Sequence, residues 1–213
     1  MKKLLLATAM AMAATASAAN AGSLDFLITS DHCTGGCGPQ EGGFGSISVN
    51  DNIANTLSFT VSLFNDNQFV KTGFPVSFAW SLVGDPTLAY NITTAGWSAF
   101  STTAQDLGMD GFGSFEYGLI CGACGNGGSN PQDGPLVFSI TGAGLTLASL
   151  QLSTNPPGDT SAFFAVDILS GTTQLTGLVD ASVPVPGPIV GAGLPGLLAA
   201  LGMLGLSRRR RRA

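Results

Sequence analysis

From residue 56 the chain alternates with a period of two. Leu57, Phe59, Val61 and Leu63 are apolar, and Ser58, Thr60 and Ser62 between them are polar. The run 74–84 repeats the pattern with Val76, Phe78, Trp80 and Leu82. Runs at 112–120, 135–141, 145–152, 162–169 and 173–179 behave alike, and 24–29 and 44–50 are weaker versions. Alternation in stretches of five to nine residues rich in Val, Ile, Thr and Phe marks half-buried strands. No interior window keeps a helical i, i+3, i+4 stripe. About nine strands separated by Gly, Asn, Asp and Pro predict an all-β domain over 22–183, an antiparallel β-sandwich or jelly roll. Closure into a barrel is the alternative.

The two ends break this rhythm. Residues 1–21 begin with Lys2 and Lys3, continue through an apolar alanine-rich run and end in small residues, the layout of a secretory signal peptide. Ala16-Ser17-Ala18 and Ala19-Asn20-Ala21 compete as cleavage sites. Cleavage after Ala21 is the expected one, because Gly22-Ser23 then opens a strand. At the other end, 188–207 carries no charge and is followed by five arginines. Twenty helical residues span about 30 Å, the thickness of a bilayer's hydrocarbon core. The arginines stay in the cytoplasm by the positive-inside rule, and Lys2 and Lys3 set the same side for the other end. The body between them is therefore expected outside.

Setting the ends aside changes the charge. The body holds all thirteen Asp and Glu and one cation, Lys71, a net charge of −12. Such a surface excludes nucleic acid and anionic lipid as partners, since phosphate binding needs Lys and Arg. Order must come from apolar packing and backbone hydrogen bonds.

The turns, Asn50-Asp51-Asn52, Asn65-Asp66-Asn67 and 125–135, are rich in residues that tolerate positive φ. Clustered acids could also ligate Ca²⁺, with Asp106, Asp110 and Glu116 the carboxylates to test, although no EF-hand or nonapeptide repeat occurs. Four cysteines form two close pairs, Cys33 with Cys37 and Cys121 with Cys124. In an exported chain an even count argues for disulfides, and local and crossed pairings both remain open. Four thiolates with His32 in reserve could hold Zn²⁺ instead, against the oxidising compartment.

His32 is the only histidine, which removes any two-histidine chemistry and places it as a loop or surface residue. No Gly-x-Ser-x-Gly or His-Glu-x-x-His motif is present. Two acids alone could run glycoside hydrolysis, but nothing localises such a pair. Trp80 falls in register with core residues, and Trp97 is the candidate exposed aromatic. No catalytic residue and no cofactor is assigned.

Pro184-Val185-Pro186-Gly187-Pro188, the apolar stretch Ile189 to Ser207 and the cluster Arg208, Arg209, Arg210, Arg211 and Arg212 together resemble the PEP-CTERM sorting signal of Gram-negative bacteria. Pro186-Gly187-Pro188 stands where Pro-Glu-Pro gives that family its name, so the resemblance is to a variant tail and the processing site is open. The likeness covers about thirty residues. It implies export by the Sec translocon, cleavage by signal peptidase, a transient inner-membrane tether, and processing by an exosortase that recognises the tail. The protein would then act at the cell surface or in the extracellular matrix, in a structural or adhesive role tied to exopolysaccharide and biofilm. The alternatives are a secreted carbohydrate-binding or carbohydrate-active module, with an extracellular polysaccharide as partner, and an unprocessed tail-anchored surface protein.

Overall fold

The computed structural model describes residues 22–100, 107–154 and 160–185. These form an all-β domain of two packed antiparallel sheets with a third, smaller layer outside the second. The signal segment 1–21 and the proposed span 188–207 lie outside the described residues. Among the described residues no helix is long and apolar enough to cross a membrane.

The first sheet has six strands in the order β16 (Pro184–Val185), β1 (Ser23–Ile28), β3 (Gly45–Ile53), β4 (Thr56–Leu63), β12 (Leu136–Thr141) and β7 (Ala89–Ile92). Its strands alternate as the sequence predicts. In β4, Leu57, Phe59 and Val61 are buried while Thr60 is exposed, and β12 repeats this with Leu136, Phe138 and Ile140 buried. The β3–β4 hairpin reverses at Asn55, which takes φ +61° at a modest cost for asparagine. A bulge between Asn50 and Ile53 precedes that turn.

The second sheet runs β2 (Ser30–Asp31), β15 (Thr176–Ala181), β14 (Phe164–Leu169), β6 (Phe78–Leu82), β11 (Tyr117–Cys121) and β8 (Trp97–Ala99). Two short strands extend it: β13 (Leu150–Gln151) pairs β6, and β5 (Gln68–Phe69) pairs β14. Between the sheets lies an aromatic core. Phe59 and Phe138 stack at 4.6 Å, Trp80 and Tyr117 at 5.9 Å, and Phe26 meets Phe164 edge-on at 4.9 Å. Full burial of each such ring contributes about 1.5–3 kcal/mol.

Unlike the first sheet, the second is covered on both faces. Every residue of β6 is buried, as are five of six in β14 and in β15. The cover is a hairpin of β9 (Leu107–Met109) and β10 (Gly113–Phe115), whose Leu107, Met109, Phe112 and Phe115 pack on Val76, Ala79, Ala165 and Leu178.

One seam of the sandwich is closed by a shared ribbon. β1 pairs β16 with Phe26 opposite Pro184, and β2 pairs β15 with Ser30 opposite Asp180. Chain 23–31 thus leaves the first sheet and joins the second, with 176–185 alongside it. Strands that change sheets in this way make the corner of a sandwich.

Three predicted runs differ. The run 145–152 is not one strand. The Ser149 hydroxyl accepts the Thr146 N–H at 3.1 Å, and the backbone closes into a 3₁₀ turn, η1 (Leu147–Ser149), leaving only β13 extended. The run 112–120 divides at Glu116, so β10 joins the outer hairpin and β11 the second sheet. The run 173–179 starts with a turn, and Gln174 takes φ +60° there. The strands β7, β8 and β9 carried too little alternation to be read in advance.

Candidate functional site

Both cysteine pairs are local. Cys33 and Cys37 form one disulfide and Cys121 and Cys124 the other, with Cα–Cα separations of 5.4 and 5.2 Å. The crossed pairing does not occur, and no cysteine among the described residues is left free as a thiolate for zinc. The two stapled loops are nonetheless linked into one loop cluster through chain 67–71, which bonds to Gln40 of the first and to Gly127 and Asp133 of the second. Loop 32–44 and turn 170–174 are joined by Ser170 Oγ donating to the Cys37 carbonyl at 2.7 Å and Thr173 Oγ1 to that of Gly36 at 3.3 Å. The 121–135 loop joins through Gly127 N–H to the Lys71 carbonyl and Gln68 Nε2 to Asp133.

Asn67 is the hub beneath this cluster. It is 4% exposed. Its amide nitrogen donates to Gln40 Oε1 at 2.7 Å and the Phe44 carbonyl at 3.0 Å. Its oxygen accepts from Gln40 Nε2 and the Gly171 N–H. Such a fully satisfied buried network gives its loops one conformation. Beside it runs an open groove of about 620 Å³, lined by Thr29, Asp31, Pro39 and Gln40 with glycine backbone between them. Asn65 and Asp66, expected as a turn, take φ +55° and +58° there.

The acids separate by environment. Asp167 lies on the outer face of β14, buried. It accepts from the Thr72 N–H at 2.7 Å and from Thr72 Oγ1 at 2.8 and 2.7 Å. Burial pushes its pKa up to about 6, and the Thr72 bonds only partly offset this. Asp180, on the outer face of β15, is also buried, with neither oxygen in a hydrogen bond of good geometry. Burial raises its pKa too, opposed by Ser30, His32 and Ser182 nearby. Glu116 accepts the Leu82 N–H at 3.0 Å. Its pKa is raised first by burial and then by the Asp85 carboxylate beside it.

Of the proposed calcium ligands, Asp110 is exposed at the tip of the outer hairpin, Glu116 is turned toward Leu82 and Asp85, and Asp106 lies outside the described residues. Among the described residues no three His, Cys, Asp or Glu side chains gather closely enough to hold a metal ion. His32 is exposed, as its loop position predicts, but it is not idle. Its ring meets Phe112 edge-on at 4.9 Å. It lies directly over Gly111, where a Cβ would collide with it and where φ is +83°. Trp80 is fully buried in the core. Trp97 is half-buried, its ring edge-on to Phe69 at 5.2 Å.

Of the sorting-signal residues, Pro184 is described, and it sits at the outer edge of the first sheet opposite Phe26. Proline lacks an N–H and suits an edge strand. Ala21, Pro186, Gly187, Pro188 and Arg208 to Arg212 lie outside the described residues. The register Asp25↔Val185 places the two boundaries of the described domain side by side. Ser23 pairs with Asn50 near the β3–β4 turn, and Gly45, just after the stapled loop, pairs with Leu63 at the far end of that sheet. The chain boundaries and the loop cluster thus stand at opposite ends of the first sheet.

Sequence reasoning did not single out Asn67, Asp167, Asp180 or the Asp85–Glu116 pair. The signal for the buried acids was there, since each stands inside an otherwise apolar run, "AFFAVDIL" and "TGLVDASV". No protein-family model, curated protein or solved structure matches this chain.

Proposed function

We propose that this is an exported cell-surface or extracellular-matrix protein with a structural or adhesive role, held at the inner membrane by its tail until an exosortase processes it. The observation that carries the reading is the pairing of β1 with β16. The first and last described strands lie side by side at one edge of the first sheet, which suits a body tethered at one place. Two disulfides suit an oxidising compartment. The loop cluster at the opposite end of the sheet is the surface free to meet a partner, by the same logic that puts binding loops at one end of other sandwiches.

The test is to size the mature protein in Gram-negative cells with and without an exosortase. Loss of the C-terminal arginines and apolar stretch only when the enzyme is present supports the reading. The same intact mass in both strains returns the chain to an unprocessed, tail-anchored protein. Of the two tryptophans the carbohydrate-module reading keeps only Trp97, half-buried, because Trp80 is core.

A further inference from the structure

The first described residue already makes a specific contact through its backbone nitrogen. Gly22 N donates to Asp51 Oδ1 at 2.8 Å, and the Gly22 carbonyl accepts the Asp51 N–H at 3.3 Å. The other carboxylate oxygen, Asp51 Oδ2, accepts the Leu147 N–H of η1 at 3.3 Å. One side chain, at the bulge where β3 bends, therefore joins the start of β1 to the 3₁₀ turn.

In the uncut chain the Gly22 nitrogen is an amide with one proton. Hydrolysis of the Ala21–Gly22 bond adds the water's hydroxyl to the Ala21 carbonyl carbon and its proton to the Gly22 nitrogen. That nitrogen is then an amine, which takes a further proton from solvent at neutral pH. The new ammonium has three donors and a full charge, at an atom already within ion-pair distance of a carboxylate. It arises in a body with thirteen acids and one cationic side chain, Lys71. We propose that Asp51 is the built-in receptor for the mature N-terminus: signal peptidase cuts between Ala21 and Gly22, and the α-ammonium of Gly22 closes an ion pair with Asp51 that fastens β1 to β3 and η1.

This inference rests on the export reading and is independent of the tail. Cleavage at the competing site, after Ala18, leaves Ala19-Asn20-Ala21 in front, keeps Gly22 an amide and moves the charge three residues away. Asp51 is the one charged group in these contacts. Gly22, Ser23, Leu147, Ala148 and Ser149 are uncharged, and the nearest other acid on β1, Asp25, pairs with Ser48 and Val185.

The experiment exports the full chain with its own signal in a Gram-negative host, then determines its first residue and titrates its α-amine. The expected first residue is Gly22. The expected amine titrates above the ordinary range of about 7.7–8.0 for a chain terminus, and Asp51→Asn returns it to that range. The pair's stability is then full below the ordinary range and is lost as pH rises through the raised value. Chemical acetylation of the amine and Asp51→Asn should each lower Tm, and the two together no further than either alone. If Asp51→Asn fails to fold, the titration and acetylation of the unaltered chain still decide the matter. A first residue of Ala19, an amine in the ordinary range, or additive losses overturn the proposal. A chain still beginning at Met1 overturns it together with export. An unprocessed tail on a chain beginning at Gly22 sinks the sorting reading alone.

Discussion

The two sheets are built to different rules. The first buries one face, so apolar and polar residues alternate along β4 and β12. The second buries both, against the aromatic core on its inner side and the outer hairpin on the other. Its strands β6, β14 and β15 are nearly continuous in burial. The inner face is stacked rings and aliphatic side chains, polar only at Trp80 Nε1, buried without a partner, and at the Tyr117 hydroxyl, which donates to the Pro86 carbonyl. The outer face mixes small apolar residues with Ser81, Asp167 and Asp180, all buried. A sheet with one wet face can place its polar groups in solvent. A sheet with none must pair them or leave them in want of partners, as Ser81 Oγ and Asp180 show.

The largest test of this difference is in the inner core. Phe164 contacts Phe26, Phe59 and Phe78 and is fully buried. Phe164→Ala should cost about 3–5 kcal/mol in urea unfolding. Met109→Ala, under the outer hairpin, should cost about 2–4 kcal/mol. Hydrogen exchange should rise chiefly in 107–115 and leave β4 and β12 protected, because that layer stands outside the sandwich. Equal loss of protection in both sheets would mean that the hairpin is no separate layer.

The buried acids give a test with a definite sign. A raised carboxyl pKa means that the folded state binds protons the unfolded state has already released. Stability should therefore rise as pH falls from 7 toward 4, and the gain from Asp167 accrues from its pKa of about 6 down to the ordinary carboxyl range near 4. Asp167→Asn should flatten the pH dependence between about pH 6 and 4, followed by thermal melts across that range. A flat profile in the unaltered protein would show that the outer face admits water.

Reducing either disulfide should cost about 2 kcal/mol, because each closes a loop of only four or five residues. A crossed pairing would have been worth about twice that. At the small end, Ile53 is 64% exposed at the end of β3, beside the hairpin turn. Ile53→Ser should change stability by no more than about 0.5 kcal/mol. A larger loss there would show that this face is covered in solution.

What could be read from the chain follows the same division. The half-wet strands β4 and β12 announce themselves, because solvent enforces their period of two, and β3 gives a weaker version. β14 was read from the alternation of 162–169, but nothing in its pattern said that Asp167 is buried on the outer face. Of the outer hairpin only β10 fell in a predicted run, and β9 was missed because glycines at 108 and 111 dilute its alternation. The cysteine pairing stayed open because two close pairs permit both arrangements until the loops are placed. Of the candidate site, the two chain ends were legible as composition. Their meeting was not, since it depends on a register between strands at opposite ends of the body.

That register also has a consequence in time. Asp25 stands near the start of the described domain, and Val185, its partner, at its end. The first sheet gains its outer strand only after nearly the whole body has been made, and β1, otherwise an open edge, must wait alongside β3. The last described strand to be made is therefore the one that closes this edge.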